Sequence, residues 1–394
     1  MLKKTKSMDM YRRYAGFVLA FVFCQSLGVV LFNILVDPYG VMNAPRVAGF
    51  NHIKAEINQQ VRRFKALEVI RIQPQTVLLG SSRTEFGLDP DRLALQGNPP
   101  AYNLGLPAAN MYEVRRYLEH AIANQSNLKT AAIGLDLLMF NQFTENTPDF
   151  LEARLETNHL VWQDILDSTF SIDALIASAK TIKRSLSYPN ETVGFYYKDG
   201  QKNAQFYRKA IYGEQSTKAI IAQGLKYGVF QPVDRDRIYQ VSLRYLQELQ
   251  TVVKLCEEHE IDCRFFISPS HAIQWEAIRA VEGWNAFERW KREVVKILPV
   301  WDFSGYNSIT TEPLNGNLKN YWDNSHYKQK VGDMVLSRIF GDESEKVPDD
   351  FGVLITPENI ESHLAKIRRD REAWAKENPE TVKFVENLKP SAKD

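Results

Sequence analysis

The chain has 394 residues, enough for one large domain or two and for a sizeable core. Hydrophobic residues make up 44% of it and charged residues 25%, with only 20 glycines and 17 prolines, which excludes disordered and fibrous proteins. Lysine and arginine (49) balance aspartate and glutamate (48), so the net charge of +1 argues against nucleic acid as a partner. Three cysteines exclude a disulfide-built scaffold and form no Cys/His cluster for structural zinc.

The most informative segment is the first. From Tyr14 to Val36 the chain carries no charge and is rich in Phe, Val, Leu and Ala, which is long enough for one tilted membrane crossing. A cleaved signal peptide is the main alternative, but its apolar region would be only about 7–15 residues long and would end in an A-x-A-like site. A lipoprotein is disfavoured because the bulky Phe23 precedes Cys24. We therefore predict an uncleaved transmembrane signal anchor over residues 14–36, rather than the buried core helix of a soluble protein.

The charges that flank this segment predict its orientation. Residues 1–13 carry one acidic residue and five basic ones: Lys3, Lys4, Lys6, Arg12 and Arg13. The positive-inside rule places them in the cytoplasm and everything after Asp37 outside it. In a bacterium this means a single pass through the inner (cytoplasmic) membrane, with the C-terminal body in the periplasm or extracytoplasmic space. In that oxidising compartment Cys256 and Cys263 could pair, although buried free thiols are the more common outcome.

The exported body has the pattern of an α/β protein. Residues 37–74 are predicted as a membrane-proximal helix. Beyond them, short apolar runs predict buried strands at 76–80, 102–106, 130–136, 263–268 and 299–303. Helical periodicity lies between these runs, for example after the predicted N-cap Asn110. The alternation predicts a three-layer fold with a mostly parallel sheet and helices on both faces, in which ligands bind beyond the carboxyl ends of the strands.

Two regions depart from this alternation. Residues 141–235 are predicted to be a helical insertion packed over the active edge of the sheet. The segment is rich in aromatic residues, among them Trp162, Phe195, Tyr196, Tyr197, Phe206, Tyr207 and Tyr212. We expect most of these seven side chains in the core; the alternative is that they form a stacking platform for sugar rings. Residues 341–394 form a charged tail, helical from Pro357, which we expect to be a solvated surface helix rather than one that binds a partner.

Two short motifs combine residue types that can carry chemistry. Gly80-Ser81-Ser82-Arg83 follows the first predicted strand, where a hydroxyl on a tight turn is exposed and has backbone N–H groups nearby. Asp323-Asn324-Ser325-His326 follows the last predicted strand and opens a helix that runs to about Phe340. An aspartate three residues before a histidine can bind one ring nitrogen and leave the other as a general base. Alone, each motif also has a purely structural explanation.

The order of the two motifs resembles the SGNH/GDSL hydrolase superfamily over roughly residues 75–340, apart from the insertion. The resemblance implies a flavodoxin-like α/β fold with Ser82 as nucleophile and with Asp323 and His326 completing a catalytic triad. It also implies that a backbone N–H near Gly105 or Ala108 binds the oxyanion.

The third block of the superfamily departs from its pattern here. Where the family has Gly-x-Asn-Asp, this chain has Gly134-Leu135-Asp136-Leu137. An ionised Asp136 cannot donate a hydrogen bond to an oxyanion, and its charge opposes one. Three alternatives remain open: Asn141 supplies the donor, backbone N–H groups suffice, or Asp136 pairs with Arg83. Loss of one oxyanion donor costs about 100- to 1,000-fold in rate.

Within the superfamily, the single anchor and the two motifs look most like the membrane-anchored acyl-handling proteins of cell-envelope polymers. These include the alginate acetylation proteins and the D-alanine transfer protein of teichoic acids. The resemblance implies that an acyl group, usually acetyl, moves to or from the hydroxyl of an envelope polysaccharide. It also implies a multi-span membrane acyltransferase as a partner that supplies the group.

The remaining histidines and carboxylates add little. His271, after the fourth predicted strand, is the main competing base, but it lacks an aspartate at fixed spacing and is expected to line the pocket. No trio of histidines or carboxylates has metal-ligand spacing, so the sequence predicts no metal and no other cofactor.

Our leading hypothesis is an exported, membrane-anchored serine O-acyltransferase or esterase that acts on an envelope polysaccharide. The alternative is a non-catalytic polysaccharide-binding or assembly protein that keeps the fold but, as Asp136 suggests, has lost part of the site. Transfer and hydrolysis share the acyl-serine intermediate. The anchor favours transfer, because a hydrolase of loose polymer gains little from being tethered.

Overall fold

The computed structural model describes residues 2–94, 97–231, 239–342 and 344–389. Its strands are β1 (Thr76–Gly80), β2 (Ala101–Gly105), β3 (Thr130–Leu135), β4 (Asp262–Ile267), β5 (Val300–Asp302) and β6 (Val353–Ile355). Its α-helices are α1 (Leu2–Val36), α2 (Val61–Ile72), α3 (Ser82–Gly87), α4 (Pro90–Ala94), α5 (Met111–Asn124), α6 (Glu152–Leu155), α7 (Trp162–Thr169), α8 (Ile172–Ser187), α9 (Ala204–Tyr212), α10 (Thr217–Leu225), α11 (Leu243–Glu258), α12 (Ala272–Ala280), α13 (Trp284–Val295), α14 (Gln329–Phe340), α15 (Ile360–Glu377) and α16 (Pro379–Leu388). Short 3₁₀ turns lie at Ala55–Asn58 and Leu137–Phe140, and a π-helical turn lies at Lys226–Phe230.

The chain divides into two compact units. The helical unit consists of Met1–Leu67 and His159–Phe195, and the sheet unit consists of Glu68–Asn158 and Tyr196–Asp394. The predicted insertion over residues 141–235 is therefore not one body, because its middle belongs with α1 rather than with the sheet. Its predicted end at residue 235 lies outside the described residues. Of the seven aromatic residues named in the sequence analysis, three are buried (Phe195, Tyr196 and Phe206), two are half-buried (Tyr207 and Tyr212) and two are exposed (Trp162 and Tyr197).

The sheet unit confirms the predicted α/β class. Its six strands run in the order β2-β1-β3-β4-β5-β6, with the first five parallel and β6 antiparallel to β5. The order 2-1-3-4-5 is that of doubly wound sheets, whose ligand crevice opens where the strand order reverses, here between β1 and β3. All residues of β1 and β3 are buried, as expected for the centre of a parallel sheet.

The C-terminal region is not the solvated tail that the sequence predicted. Residues Val353–Ile355 add β6 to the sheet, a strand too short to give a periodic pattern. Both following helices bury apolar side chains, which are Ile360, Leu364, Ile367 and Trp374 of α15 and Val385 of α16. The mixed charges of α15 in part form ion pairs, as Arg371 does with Glu276. The tail is thus an integral part of the sheet unit.

In the helical unit, the segment Met10–Val36 of α1 is long and apolar enough to cross a membrane, and it is the one such helix among the described residues. The helix ends at a buried aspartate with a positive φ, Asp37. Its carboxylate accepts hydrogen bonds from the backbone N–H groups of Met42 and Ala44 and pairs with Lys54 at 2.7 Å. The predicted membrane-proximal helix over 37–74 is shorter than expected. Turns occupy most of its first part, and only α2 is a regular helix.

The pairing of the cysteines, which the sequence left open, is settled by the fold. Cys256 in α11 and Cys263 in β4 form a disulfide across the turn that joins the helix to the strand. The third cysteine, Cys24, is free and exposed on α1.

A buried charge cluster lies at the carboxyl end of β5. Lys291 of α13 donates to Asp302 at 2.5 Å and to Ser304 at 2.8 Å, and His363 of α15 contacts the same carboxylate at 2.8 Å. Burial alone would raise the pKa of the Asp302 carboxyl, but Lys291 and His363 outweigh it and hold that pKa well below its ordinary value. The cluster joins α13, β5 and α15.

We expect Lys291→Met to lower the free energy of unfolding by about 3–5 kcal/mol, because it leaves the Asp302 carboxylate buried without its main counter-ion. Urea unfolding at neutral pH measures the loss. The matched control is Lys296→Met, whose exposed ion pair with Glu293 is worth about 0–1 kcal/mol. Equal stability of the two variants would contradict this account.

Candidate active site

The serine of the first motif stands where a central strand ends. Ser81 caps α3, and its side-chain oxygen accepts a hydrogen bond from the Arg83 N–H. Ser82 is the first residue of α3 and is partly exposed. Among the described residues, the Ser82 N–H donates to no other group. The hydroxyl therefore lies at the carboxyl edge of the sheet with an available backbone donor beside it.

The second motif forms a tight hairpin rather than the start of a helix. Tyr321 and Tyr327 pair as an antiparallel bridge on either side of it, and α14 begins only at Gln329. Within the turn, one carboxylate oxygen of Asp323 accepts from the backbone N–H groups of Ser325 and His326, at 2.7 and 2.8 Å. These bonds fix the carboxylate next to the histidine ring.

The two motifs meet. The Ser82 Oγ lies 2.9 Å from the His326 Nε2, and the His326 Nδ1 lies 2.7 Å from the Asp323 Oδ2. An ionised carboxylate only accepts hydrogen bonds, so Nδ1 carries the proton and Nε2 accepts from the serine hydroxyl. Burial would raise the pKa of the Asp323 carboxyl, but the adjacent His326 and the hydrogen bonds to the carboxylate outweigh it, and the pKa lies below its ordinary value.

Close packing of two helices holds the motifs together. A Cβ atom on Gly332 of α14 would lie 1.9 Å from the carbonyl oxygen of Gly87 in α3. Only glycine therefore allows the two helices to approach this closely. The Phe86 ring of α3 packs against the His326 ring with 4.5 Å between centroids. Asn103 of β2 donates to the carbonyl oxygens of Thr84 and Leu88 at 2.9 Å and so fixes the other end of α3. The sequence reasoning assigned no role to Phe86 or Asn103.

Asp136, the departure from the third block, pairs with Arg83. Both side chains are buried, and the carboxylate also accepts a hydrogen bond from the Ser81 hydroxyl. The Arg83 Nε donates to the Ser325 Oγ at 3.0 Å, which links the pair to the hairpin that carries His326. Of the three alternatives for Asp136, the pairing with Arg83 is the one seen in the structure. The guanidinium offsets the negative charge of the carboxylate.

The other predicted oxyanion donors, which are Gly105, Asn141 and Ala108, differ in the hydrogen bonds that they already make. The Gly105 N–H already donates to the side chain of Asn103 at 2.9 Å. The side-chain oxygen of Asn141 accepts from the Gln240 N–H at 3.1 Å, in an antiparallel bridge between Asn141 and Val241. Ala108 is exposed in a turn after β2 with a positive φ, and no described group accepts from its N–H. Ser82 and Ala108 are therefore the predicted positions whose N–H groups remain available.

The structure does not favour His271 as a base or as a pocket residue. It is buried and caps α12, with Nδ1 accepting from the Ile273 N–H at 3.2 Å and Nε2 within 2.7 Å of the Glu312 carbonyl oxygen. Both ring nitrogens are thus engaged in structural hydrogen bonds. Burial lowers the pKa of His271 to about 4, which keeps the ring neutral.

A buried lysine behind the site was missed by the sequence reasoning. Lys202 donates to the Tyr196 hydroxyl at 2.5 Å, and this hydroxyl donates to the Glu85 carboxylate of α3 at 2.7 Å. Its ammonium also lies 5.8 Å from the centre of the Phe86 ring. Burial, partly offset by Glu85, lowers the pKa of Lys202 to about 8. A lone lysine in a region of ambiguous periodicity gives no sequence signal for such a contact.

Three carboxylates come together that the sequence spacing did not group. Atoms of Asp89, Asp91 and Asp199 lie within 4.8 Å of one another, close enough to share a cation. Exposed acidic groups are common without one, and Asp89 also accepts a hydrogen bond from Gln329.

A scan against protein-family models found no match for this chain, and a search of curated proteins found no relative.

We expect Asp136→Leu to lower the free energy of unfolding by about 3–5 kcal/mol, because the Arg83 guanidinium then stays buried without its counter-ion. The double variant Arg83→Met/Asp136→Leu should recover a large part of this loss, because no charge is left behind. Urea unfolding of the wild type, both single variants and the double variant gives the coupling. A double variant no more stable than Asp136→Leu would show that the ion pair is not the cause.

Because the pKa of Lys202 is about 8 in the folded chain and its ordinary value is 10.5, the folded chain binds fewer protons than the unfolded one between those values. Stability from this group therefore rises with pH across that window. Relative to Lys202→Met, the wild type should gain about 2 kcal/mol between pH 8 and pH 10 in urea unfolding. The exposed Lys254→Met is the control. A constant difference between wild type and Lys202→Met would mean that the lysine titrates normally.

Proposed function

We propose that this chain is a membrane-anchored, exported serine O-acyltransferase or esterase that acts on a cell-envelope polysaccharide. The observation that carries the proposal is the chain of contacts from the Ser82 Oγ through the His326 ring to the Asp323 carboxylate. Nucleophile, base and orienting carboxylate in this geometry are the parts needed for acyl transfer through a covalent serine intermediate.

The reaction follows from the contacts. The Ser82 Oγ attacks the acyl carbonyl while the His326 Nε2 takes its proton, and Asp323 stabilises the resulting imidazolium. The N–H of Ser82, at the start of α3, serves as an oxyanion donor. His326 then returns the proton to the leaving group. In the second half, a sugar hydroxyl or water attacks the acyl-serine, His326 accepts the proton of the attacking group, and Ser82 leaves with that proton.

Asp136 fits this mechanism better than the sequence suggested. Its charge is offset by Arg83, so the carboxylate need not oppose a developing oxyanion. Since Asp136 has no proton to donate when ionised, the oxyanion depends on backbone N–H groups. The missing side-chain donor predicts slower acylation than in an enzyme with asparagine at this place, by up to about 100- to 1,000-fold.

The resemblance to the SGNH/GDSL superfamily adds the substrate class. The strand order, the serine after β1 and the aspartate and histidine after β5 suit that superfamily. Its anchored acyl-handling members imply an envelope polysaccharide as acceptor or donor and a multi-span acyltransferase as partner. The rival proposal, a binding or assembly protein, requires only that the same crevice holds polymer without forming an acyl-serine.

The location belongs to the same proposal: residues 1–13 in the cytoplasm, α1 across the inner membrane, and the rest in the periplasm. The disulfide between Cys256 and Cys263 suits an oxidising compartment. Asn33 near the end of α1 is buried and donates to the Thr169 carbonyl oxygen at 3.0 Å. Removing α1 as a signal peptide would take away this packing, which favours an uncleaved anchor.

The decisive experiment treats the full chain in detergent with a fluorophosphonate and maps the adduct by mass spectrometry. We expect an adduct on Ser82 that is absent in Ser82→Ala and forms on the order of 1,000-fold or more slowly in His326→Ala. Polysaccharide acylation in cells that carry Ser82→Ala should be lost as well.

His271→Ala is the matched control. It should label at close to the wild-type rate while losing about 1 kcal/mol of stability from the missing helix cap. A folded wild-type chain that forms no adduct, together with normal polymer acylation in the Ser82→Ala strain, would favour the binding protein instead.

A further inference from the structure

The helix α7 presents its apolar side chains to the outside. Asp164, Ser168 and Thr169 on one side are buried. On the other side Trp162 is 78% exposed and Leu166 is 54% exposed. A helix on the surface of a water-soluble protein has the opposite arrangement, with apolar side chains facing the core.

The next helix repeats this inversion. The buried positions of α8 hold only small or polar residues: Ala174, Ala177, Ser178, Thr181 and Ser185. Four of its five large apolar residues are exposed: Ile172 at 78%, Leu186 at 63%, Leu175 and Ile176. The fifth, Ile182, is half-buried. Phe170, in the turn that joins the two helices, is exposed as well. We call these exposed apolar side chains of the two helices and their turn the α7–α8 face.

The polar groups on the inner side of the two helices are satisfied within the helical unit. Arg63 pairs with Asp164 at 3.1 Å and donates to the Ser168 hydroxyl at 3.2 Å. The Ile53 N–H donates to the Ser185 Oγ at 3.1 Å. Since these contacts hold the polar sides inward, the exposed apolar sides are a property of the folded unit and not of a loosely attached segment.

The helix pair packs on the last turns of α1. The Asn33 amide donates to the Thr169 carbonyl oxygen, and its oxygen accepts from the Ser178 hydroxyl at 2.8 Å. An open groove of about 520 Å³ also lies between α1 and α8; its surface is mainly apolar, and its lining residues are Phe32, Ala179, Ile182, Lys183, Leu186 and Ser187. The exposed apolar surface of α1 therefore continues onto the α7–α8 face.

From this geometry we propose that the α7–α8 face lies in the outer interface of the lipid bilayer that α1 crosses. The proposal rests on the membrane anchor of the proposed function and is independent of the chemistry at Ser82. A helix pair with one apolar side seats that side about 5–10 Å into the boundary between headgroups and acyl chains. Lys183, which is exposed, suits anionic headgroups, while the partly exposed Lys180 pairs with Glu56 at 3.3 Å within the helical unit. The groove between α1 and α8 is apolar and fits a lipid acyl chain.

The test places single spin labels in the full chain reconstituted into vesicles of phosphatidylethanolamine and phosphatidylglycerol. Cys24→Ser removes the free cysteine. Labels then replace Leu166 and Ile176 on the α7–α8 face, Phe21 in α1 as the membrane reference, and the exposed Asn190 beyond α8 as the polar control. Accessibility to oxygen and to a water-soluble nickel chelate is measured at each site. We expect the ratio of oxygen to nickel accessibility at Leu166 and Ile176 to be several-fold higher than at Asn190, and to approach that at Phe21.

Each other result overturns the proposal in a recognisable way. Nickel access at Leu166 and Ile176 equal to that at Asn190, with Phe21 in lipid, places the face in water while the anchor stands. Nickel access at Phe21 as well removes the anchor and the proposal together. Shielding of Leu166 and Ile176 from both reagents shows a protein contact, either a second copy or a partner. Labelling of Ser82 by fluorophosphonate in the same samples reports the proposed chemistry separately.

Discussion

The hydrogen bond between Ser82 and His326 requires two distant parts of the sheet unit to be held in fixed positions. It joins two residues that are 244 positions apart in the sequence. Ser82 follows β1 and His326 follows β5. Such a hydrogen bond contributes little net free energy to folding. It nevertheless forms only if the two residues are held at a fixed distance and orientation. The surrounding structure meets that demand by the close approach of α3 to α14 at Gly87 and Gly332 and by the hydrogen bonds of Asn103 to the end of α3.

Charge at the carboxyl edge of the sheet is neutralised locally. Arg83 pairs with Asp136 after β3, Lys291 pairs with Asp302 at the end of β5, and Lys202 lies 3.8 Å from Glu85 of α3. Each pair is buried, so its geometry is constrained by the cost of leaving either partner alone. Groups held in this way do not need to reorganise when a charged species forms beside them, which is the condition for electrostatic stabilisation in a crevice of this kind.

Much of the sheet was readable from the sequence because central parallel strands leave a strong signal. The runs at β1 and β3 are apolar on both faces, and the predicted bounds agree with the structure within one residue. The meeting of Ser82, Asp323 and His326 was expected from the resemblance to the SGNH/GDSL superfamily that the order of the two motifs suggested. Periodicity did not reveal β6, because this strand has only three residues. It also did not reveal that α15 is partly buried, because four buried apolar side chains lie among many charged ones.

The helical unit was misjudged for a different reason. Patterns of apolar residues show that a helix has two faces but not which solvent each face meets, so Trp162 was grouped with aromatic residues expected mostly in the core, whereas it is exposed. Roles that depend on a single long-range contact, such as those of Asn103 and Lys202, leave no local pattern at all. For Asp136 the sequence left three alternatives open, and the pairing with Arg83 could be chosen only once both side chains had a position.

The discontinuity of the helical unit has a consequence for biosynthesis. Asn33 and its partner Thr169 are 136 residues apart, with part of the sheet unit between them. At about 5–20 residues per second, on the order of ten seconds of translation separate the synthesis of α1 from that of α7 and α8. During this interval the amide of Asn33 lacks both of its partners, Thr169 and Ser178, which are added only when α7 and α8 have been made. The helical unit is thus completed only after the part of the sheet unit that precedes α7 has been synthesised.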